Sequence, residues 1–366
     1  MIEALCYTLI GALTVVNYFV ALPIQLNITC FSMAIIIAGS NRSLQQMINT
    51  LKTVHIDKKK AQGVETLTKE DAMQFPLYAG GMLCGLYGLI KYFGKEIVNP
   101  LLLGYMGIGA SQSIKGLVLS LSIGTNLDKK KLIKCKIEKI GLDLEVSPLD
   151  LICLVLAYMA VGVYIYSKNW IYNNVLALLF CVHGIEFLFL GNFTTGFILL
   201  GLLFFYDIFF VFGTDVMLTV AKSIDAPIKL LFPKDWEATP PQFSLLGLGD
   251  IVIPGVFIAL CLRYDIIKSL NKNKLTELVN NGQGDQFIQM LQHHAATAPR
   301  YYFYGGLIGY MVAIITTVIV MLVFDHGQPA LLYLVPACLL SVIINALRFG
   351  EFKKIWDFNE EEIIKV

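Results

Sequence analysis

Apolar residues in this chain do not alternate with polar ones. They gather into runs of about the 20 residues that a helix needs to cross some 30 Å of hydrocarbon. Nine such runs stand out, near Leu5 to Ile37, Phe75 to Phe93, Leu101 to Ile123, Leu149 to Tyr166, Trp170 to Leu190, Thr195 to Val220, Phe243 to Leu262, Tyr302 to Phe324 and Pro329 to Leu347. This pattern predicts an all-α polytopic membrane protein with nine transmembrane helices. The first run is too long for one crossing and contains Pro23, so one long or kinked helix is expected there. Between Lys131 and Val146 the pattern changes to alternation, with Ile133, Cys135, Ile137 and Leu144 among the apolar positions, which predicts a small hairpin. The chain divides into 1–148 with the first three spans, 149–350 with the other six, and a tail at 351–366.

Composition agrees with a lipid solvent. Of 366 residues, 56% are hydrophobic and 15% charged, and the mean hydropathy is +0.67; a soluble domain carries about 25% charge. A net charge of +1 without a strongly basic segment excludes a nucleic-acid binder, and the apolar content excludes a disordered chain or a soluble enzyme with one core. The eight cysteines form no CxxC pair and read as small buried hydrophobes. Lysine and arginine set the direction of the spans, because they are retained on the cytoplasmic side of short loops. With the amino terminus outside, the cytosolic segments hold 21 of them and the outer loops 6. The amino terminus is therefore expected in the lumen and the carboxyl terminus in the cytosol. The runs Lys58 to Lys60 and Lys129 to Lys131 fall on the cytosolic side, where a topogenic role suffices.

Ionisable residues inside the spans carry the functional argument, since a charge at mid-bilayer costs several kcal/mol. They are Lys115, Glu186, Asp207 and Asp250. Asp207 lies 12 residues inside the sixth span, about 18 Å deep, and Asp250 lies 12 residues inside the seventh from the same face. Two level acids on antiparallel neighbouring spans are expected to meet. Gly247 and Gly249 remove side chains beside Asp250, and Pro254 cannot donate to the Asp250 carbonyl, so the helix should be kinked or loosened at the acid. Two carboxyls in one low-dielectric site hold a single proton between them, the arrangement that activates water against a peptide carbonyl. A carboxylate relay for ions or protons uses the same pair, and a nonproteolytic quality-control binder is a third reading. Metalloprotease chemistry lacks its HExxH, since His183-Gly184-Ile185-Glu186 is short of a second histidine, and Gly109 to Gln112 lacks the closing glycine of a serine-protease turn. Glu186 reads as a packing residue or a contact on the substrate path, and Lys115 as a side chain snorkelling to an interface.

Three motifs in order, Tyr206-Asp207, Gly247-Leu248-Gly249-Asp250 and Gln328-Pro329-Ala330-Leu331, resemble the YD, GxGD and PAL motifs of the signal peptide peptidase family of presenilin-like intramembrane aspartyl proteases. The likeness is close from about Leu149 to Leu347 and includes VFGTDVMLTVAKSIDAPIKLLFP, VIPGVFIAL and LLYLVPAC. The resemblance implies a nine-helix fold in which Asp207 and Asp250 are the catalytic pair and Pro329, Ala330 and Leu331 shape the site and hold an extended substrate. Tyr206, Gly247, Leu248, Gly249 and Gln328 complete these motifs. It further implies no metal or organic cofactor and residence in the endoplasmic reticulum membrane. The implied substrates are signal-peptide remnants and type II membrane helices, and the implied partners are membrane lipid and either a second copy or a quality-control complex, with no nucleic acid. Asp215 stands where many relatives carry Asn and is not expected in the pair.

Overall fold

The computed structural model describes residues 2–20, 22–56, 66–120, 133–137, 142–235, 242–270, 284–324 and 328–360. The two lysine runs lie outside them. The described residues are mostly helical, as the apolar runs require. Seven of the described helices are long and apolar enough to cross a membrane: α1 (Ile2–Phe19), α2 (Ile24–Ile56, as far as Lys52), α5 (Pro148–Ser167), α6 (Trp170–Phe187), α7 (Phe193–Phe212), α11 (Tyr301–Phe324) and α12 (Leu331–Arg348). Three more, α3 (Lys69–Phe93), α4 (Lys95–Ser120) and α9 (Gly249–Ser269), match them in length but carry more polar positions. Shorter elements are α8 (Val216–Ser223), α10 (Gly284–Thr297) and α13 (Phe352–Trp356). The expected hairpin is present as antiparallel β1 (Ile133–Ile137) and β2 (Leu142–Val146), and a second antiparallel pair is formed by β3 (Lys229–Asp235) and β4 (Gln242–Gly247).

The first apolar run needs correction. It forms two helices packed on each other, not one kinked crossing. Pro23 causes the break: its ring tolerates the start of a helix but not the interior, and its carbonyl accepts from Leu26 and Asn27 to open α2. Asn17 and Asn27 exchange buried amide hydrogen bonds of 2.8 and 2.7 Å across the pair, so neither amide is left unsatisfied in the apolar surroundings. The chain therefore doubles back, and the start of α1 lies level with Arg42 of α2, both lining one cavity.

Helix α9 occupies the centre, buried almost without interruption from Ile251 to Ile267 and packed against α2, α6, α11 and α12. Small residues permit this density. Ile185 of α6 sits between Gly39 of α2 and Gly255 of α9, where an added Cβ would fall 2.8 and 2.6 Å from its side chain. At the far end of α9, Arg263 is fully buried; it pairs with Glu360 at 3.0 Å, donates to Ser43 Oγ and the Leu190 carbonyl, and stacks on Phe189. A buried charge is tolerated only when paired and bonded in this way. The segment after α12 is thus clamped to the helical core. Lys115 pairs with Asp150 at 2.8 Å, and Ser147 and Asp150 close a capping box on α5.

Candidate active site

Helix α7 begins at the N-cap Asn192, whose Oδ1 accepts from the Thr195 N–H at 2.7 Å, and runs through a nearly continuous apolar sequence. Its Phe205 and Phe209 face outward, while Asp207 points inward and is 5% exposed. Tyr206 packs on Phe210 with ring centroids 4.6 Å apart, and both rings border Gly80 of α3.

Asp250 arrives differently from the expectation of an acid deep within a kinked helix. The seventh apolar run is half strand: Gln242 to Gly247 form β4, and α9 starts at Gly249 with Asp250 in its first turn. The backbone irregularity anticipated from Pro254 lies at this strand-to-helix junction, and the helix continues through Pro254. Leu248 makes the turn. Its N–H donates to the Ile228 carbonyl and its own carbonyl accepts from Ile251 and Val252. Gly247 leaves room for the acid, because a Cβ there would lie 3.2 Å from Asp250 Oδ2; Gly249 faces nothing closer than Ile253 Cδ1 at 3.9 Å. Helices α7, α9 and α12, which carry the three motifs, pack on one another.

The third motif supplies a contact that spacing could not reveal. Pro329 is buried, Ala330 caps α12, and the Leu331 N–H, one of the first-turn donors that a helix cannot satisfy internally, donates to Asp207 Oδ2 at 3.1 Å. Gln328 precedes this turn and is half-buried. YD and PAL, more than a hundred residues apart, are thereby joined by one hydrogen bond, and GLGD is brought beside them. Asp215 stands apart, exposed beyond the end of α7 at the start of α8. Glu186 is not near this group; it pairs with Arg42 at 2.8 Å.

Two residues escaped notice in the sequence. Asn173 and Asn174 of α6 hold the outer edge of β3: Asn174 bonds both the N–H and the carbonyl of Leu231, at 2.8 and 2.7 Å, and Asn173 donates to the Lys229 carbonyl at 2.7 Å. The signal was the pair of adjacent amides within an apolar run, which buried surroundings oblige to find partners. Because Lys229 and Leu231 turn their polar backbone toward α6, alternation and the pairing of Leu231 with Leu245 direct the Leu245 N–H and carbonyl away from β3. The Leu245 side chain is 53% exposed.

Fold and site together define a polytopic helical membrane protein in which two acids from separate helices converge with a helix amino terminus. The model of the signal peptide peptidase family matches residues 58–362, and the chain belongs to that family. It is 40% identical to signal peptide peptidase of Homo sapiens over 319 residues and to that of Mus musculus over 308, in each case covering 81% of this chain and 74% of the relative. A probable intramembrane protease of Schizosaccharomyces pombe is 31% identical over 298 residues, covering 81% of this chain and 85% of the relative.

Proposed function

We propose that this chain is an aspartyl endopeptidase that hydrolyses peptide bonds of membrane-spanning helices, with Asp207 and Asp250 as its acid and base. One carboxylate takes a proton from water as the water oxygen attacks the scissile carbonyl carbon. The protonated partner donates to the carbonyl oxygen, and the roles exchange as the tetrahedral intermediate collapses and the amide nitrogen leaves protonated. The hydrogen bond from Leu331 to Asp207, made where α7 and α12 both pack on α9 with Asp250 in its first turn, is the observation that carries this reading. Oriented carboxyls are what general acid–base catalysis needs, whereas an ion relay does not require a donor fixed on one oxygen. Tyr206, Gly247, Leu248, Gly249, Gln328, Pro329 and Ala330 shape the space around the pair.

A helix shields its own amides, so a substrate must unwind to be cut. The outward edge of β4 at Leu245, two residues before the GLGD motif begins, offers an extended segment backbone pairing that would deliver it to the acids. Signal-peptide remnants and type II helices are the substrates we assign, in the endoplasmic reticulum membrane. We assign the Arg42 end of α2 and the carboxyl terminus to the cytosol on the lysine and arginine distribution.

The test uses the detergent-purified chain, wild type and Asp207→Asn, with a labelled signal-peptide helix. Cleavage by the wild type and none by the variant is expected. Equal product from both removes the assignment of the pair, and ion flux in liposomes without any cleavage favours the relay.

A further inference from the structure

Arg42 and Gln46 stand one turn apart on the same face of α2 and look into a cavity of about 980 Å³ that the acid pair does not border. The cavity lies where the start of α1, the later half of α2, and the ends of α4, α6 and α10 converge. Arg42 is 2% exposed. Its Nη2 pairs with Glu186 Oε2 at 2.8 Å, and its guanidinium fits against α4 only because position 116 is glycine, where a Cβ would collide with Nη2. Its Nη1 is buried without a hydrogen-bond partner among the described residues, and so is Gln46 Oε1. A buried donor or acceptor left without a partner carries the full cost of its lost hydration. One bound group would relieve both if it offered an anionic oxygen to Arg42 and an N–H to Gln46.

Charge narrows the choice further. The walls hold Arg42 and Arg300 against Glu3 and Glu186, a balanced set suited to a zwitterion more than to a simple anion. The rim includes Ile2, and beyond it Leu5 and Leu9 continue along the outer face of α1 as exposed apolar residues. A molecule with its polar head in the cavity would lay hydrocarbon along that face. We infer that this cavity binds the headgroup of a phospholipid bearing a primary ammonium, a phosphatidylethanolamine, with its phosphate on Arg42 and its ammonium toward Gln46 Oε1. Phosphatidylcholine supplies the phosphate but has no N–H to give, and phosphatidic acid lacks the cation.

The full chain, purified and delipidated in detergent, is to be incubated with equal amounts of dioleoyl phosphatidylethanolamine and dioleoyl phosphatidylcholine, and retained lipid counted by mass spectrometry. The wild type should retain the ethanolamine lipid with roughly tenfold preference, the worth of one added hydrogen bond to a buried acceptor. Gln46→Leu removes the amide, and with it the acceptor, and should abolish the preference at an unchanged melting temperature, while Arg42→Gln should reduce retention of both lipids. Equal retention of the two lipids by the wild type, or a preference that survives Gln46→Leu, overturns the inference. Displacement of the lipid by equimolar water-soluble phosphoethanolamine overturns the assignment to a lipid and makes the site one for a free headgroup.

Discussion

Replacing Gly247 by Ala tests how finely Asp250 is placed. Gly247 has a backbone conformation open to any residue, so the added methyl strains nothing but its neighbour. That neighbour is the Asp250 carboxyl, 3.2 Å from the new Cβ and so a few tenths of an ångström too close. The carboxyl must rotate from its rotamer, at a cost of about 0.5–1.5 kcal/mol. If catalysis needs the present orientation, that cost enters the barrier and kcat falls roughly 2- to 12-fold. Gly249→Ala is the internal control, because its Cβ meets only Ile253 Cδ1 at 3.9 Å within the protein. Initial rates of cleavage of a labelled helical peptide by detergent-purified variants, with melting temperatures alongside, give the comparison. A Gly247→Ala enzyme with wild-type kcat would refute the placement of Asp250 argued above. A loss confined to KM would refute it equally, because the methyl would then obstruct substrate and leave the acid undisturbed.

Glu360→Ala leaves Arg263 buried without its carboxylate and should destabilise the fold by about 3–5 kcal/mol, seen as a lowered melting temperature in detergent. Asn174→Ala frees the edge of β3 at Leu231 and should weaken substrate capture more than turnover, raising KM several-fold in the peptide assay; an unchanged KM would separate the hairpin from substrate binding. Burial raises the Glu351 carboxyl, but its bonds and proximity to Lys268 and Lys354 outweigh this and hold it below the ordinary glutamate value of 4.5. A carboxylate so depressed adds stability above that value and loses it as pH falls through the lower, folded one. Thermal melts should therefore decline more steeply below about pH 4.5 in the wild type than in Glu351→Gln.

The helical class was legible, and the two acids within apolar runs stood out, because their signals are local. An apolar run of membrane length admits one satisfied backbone structure in lipid, and an acid within such a run is too costly to be accidental. The alternating stretch before Val146 announced a hairpin by the same kind of local rule. Where the reading erred, a local rule met a longer-range competitor. Hydropathy alone does not distinguish a strand from a helix over six residues, so β4 was absorbed into the seventh span; β3 and the two asparagines of α6 hold it extended. The first run reads as one long or kinked helix although Pro23 marks its break, and the Asn17–Asn27 pair that closes the hairpin is visible only after folding.

Sequence by itself therefore decided the solvent of this protein, the family to which its motifs point and the two acids proposed here to act. Each of these rests on residue type and spacing along one segment. Tertiary structure decided which backbone N–H meets Asp207, where the helix that carries Asp250 begins, and that Arg42 reaches Glu186 across α4. Those are distances between residues remote in the chain, and a hydrogen bond depends on the final positions of its atoms, which no local pattern encodes.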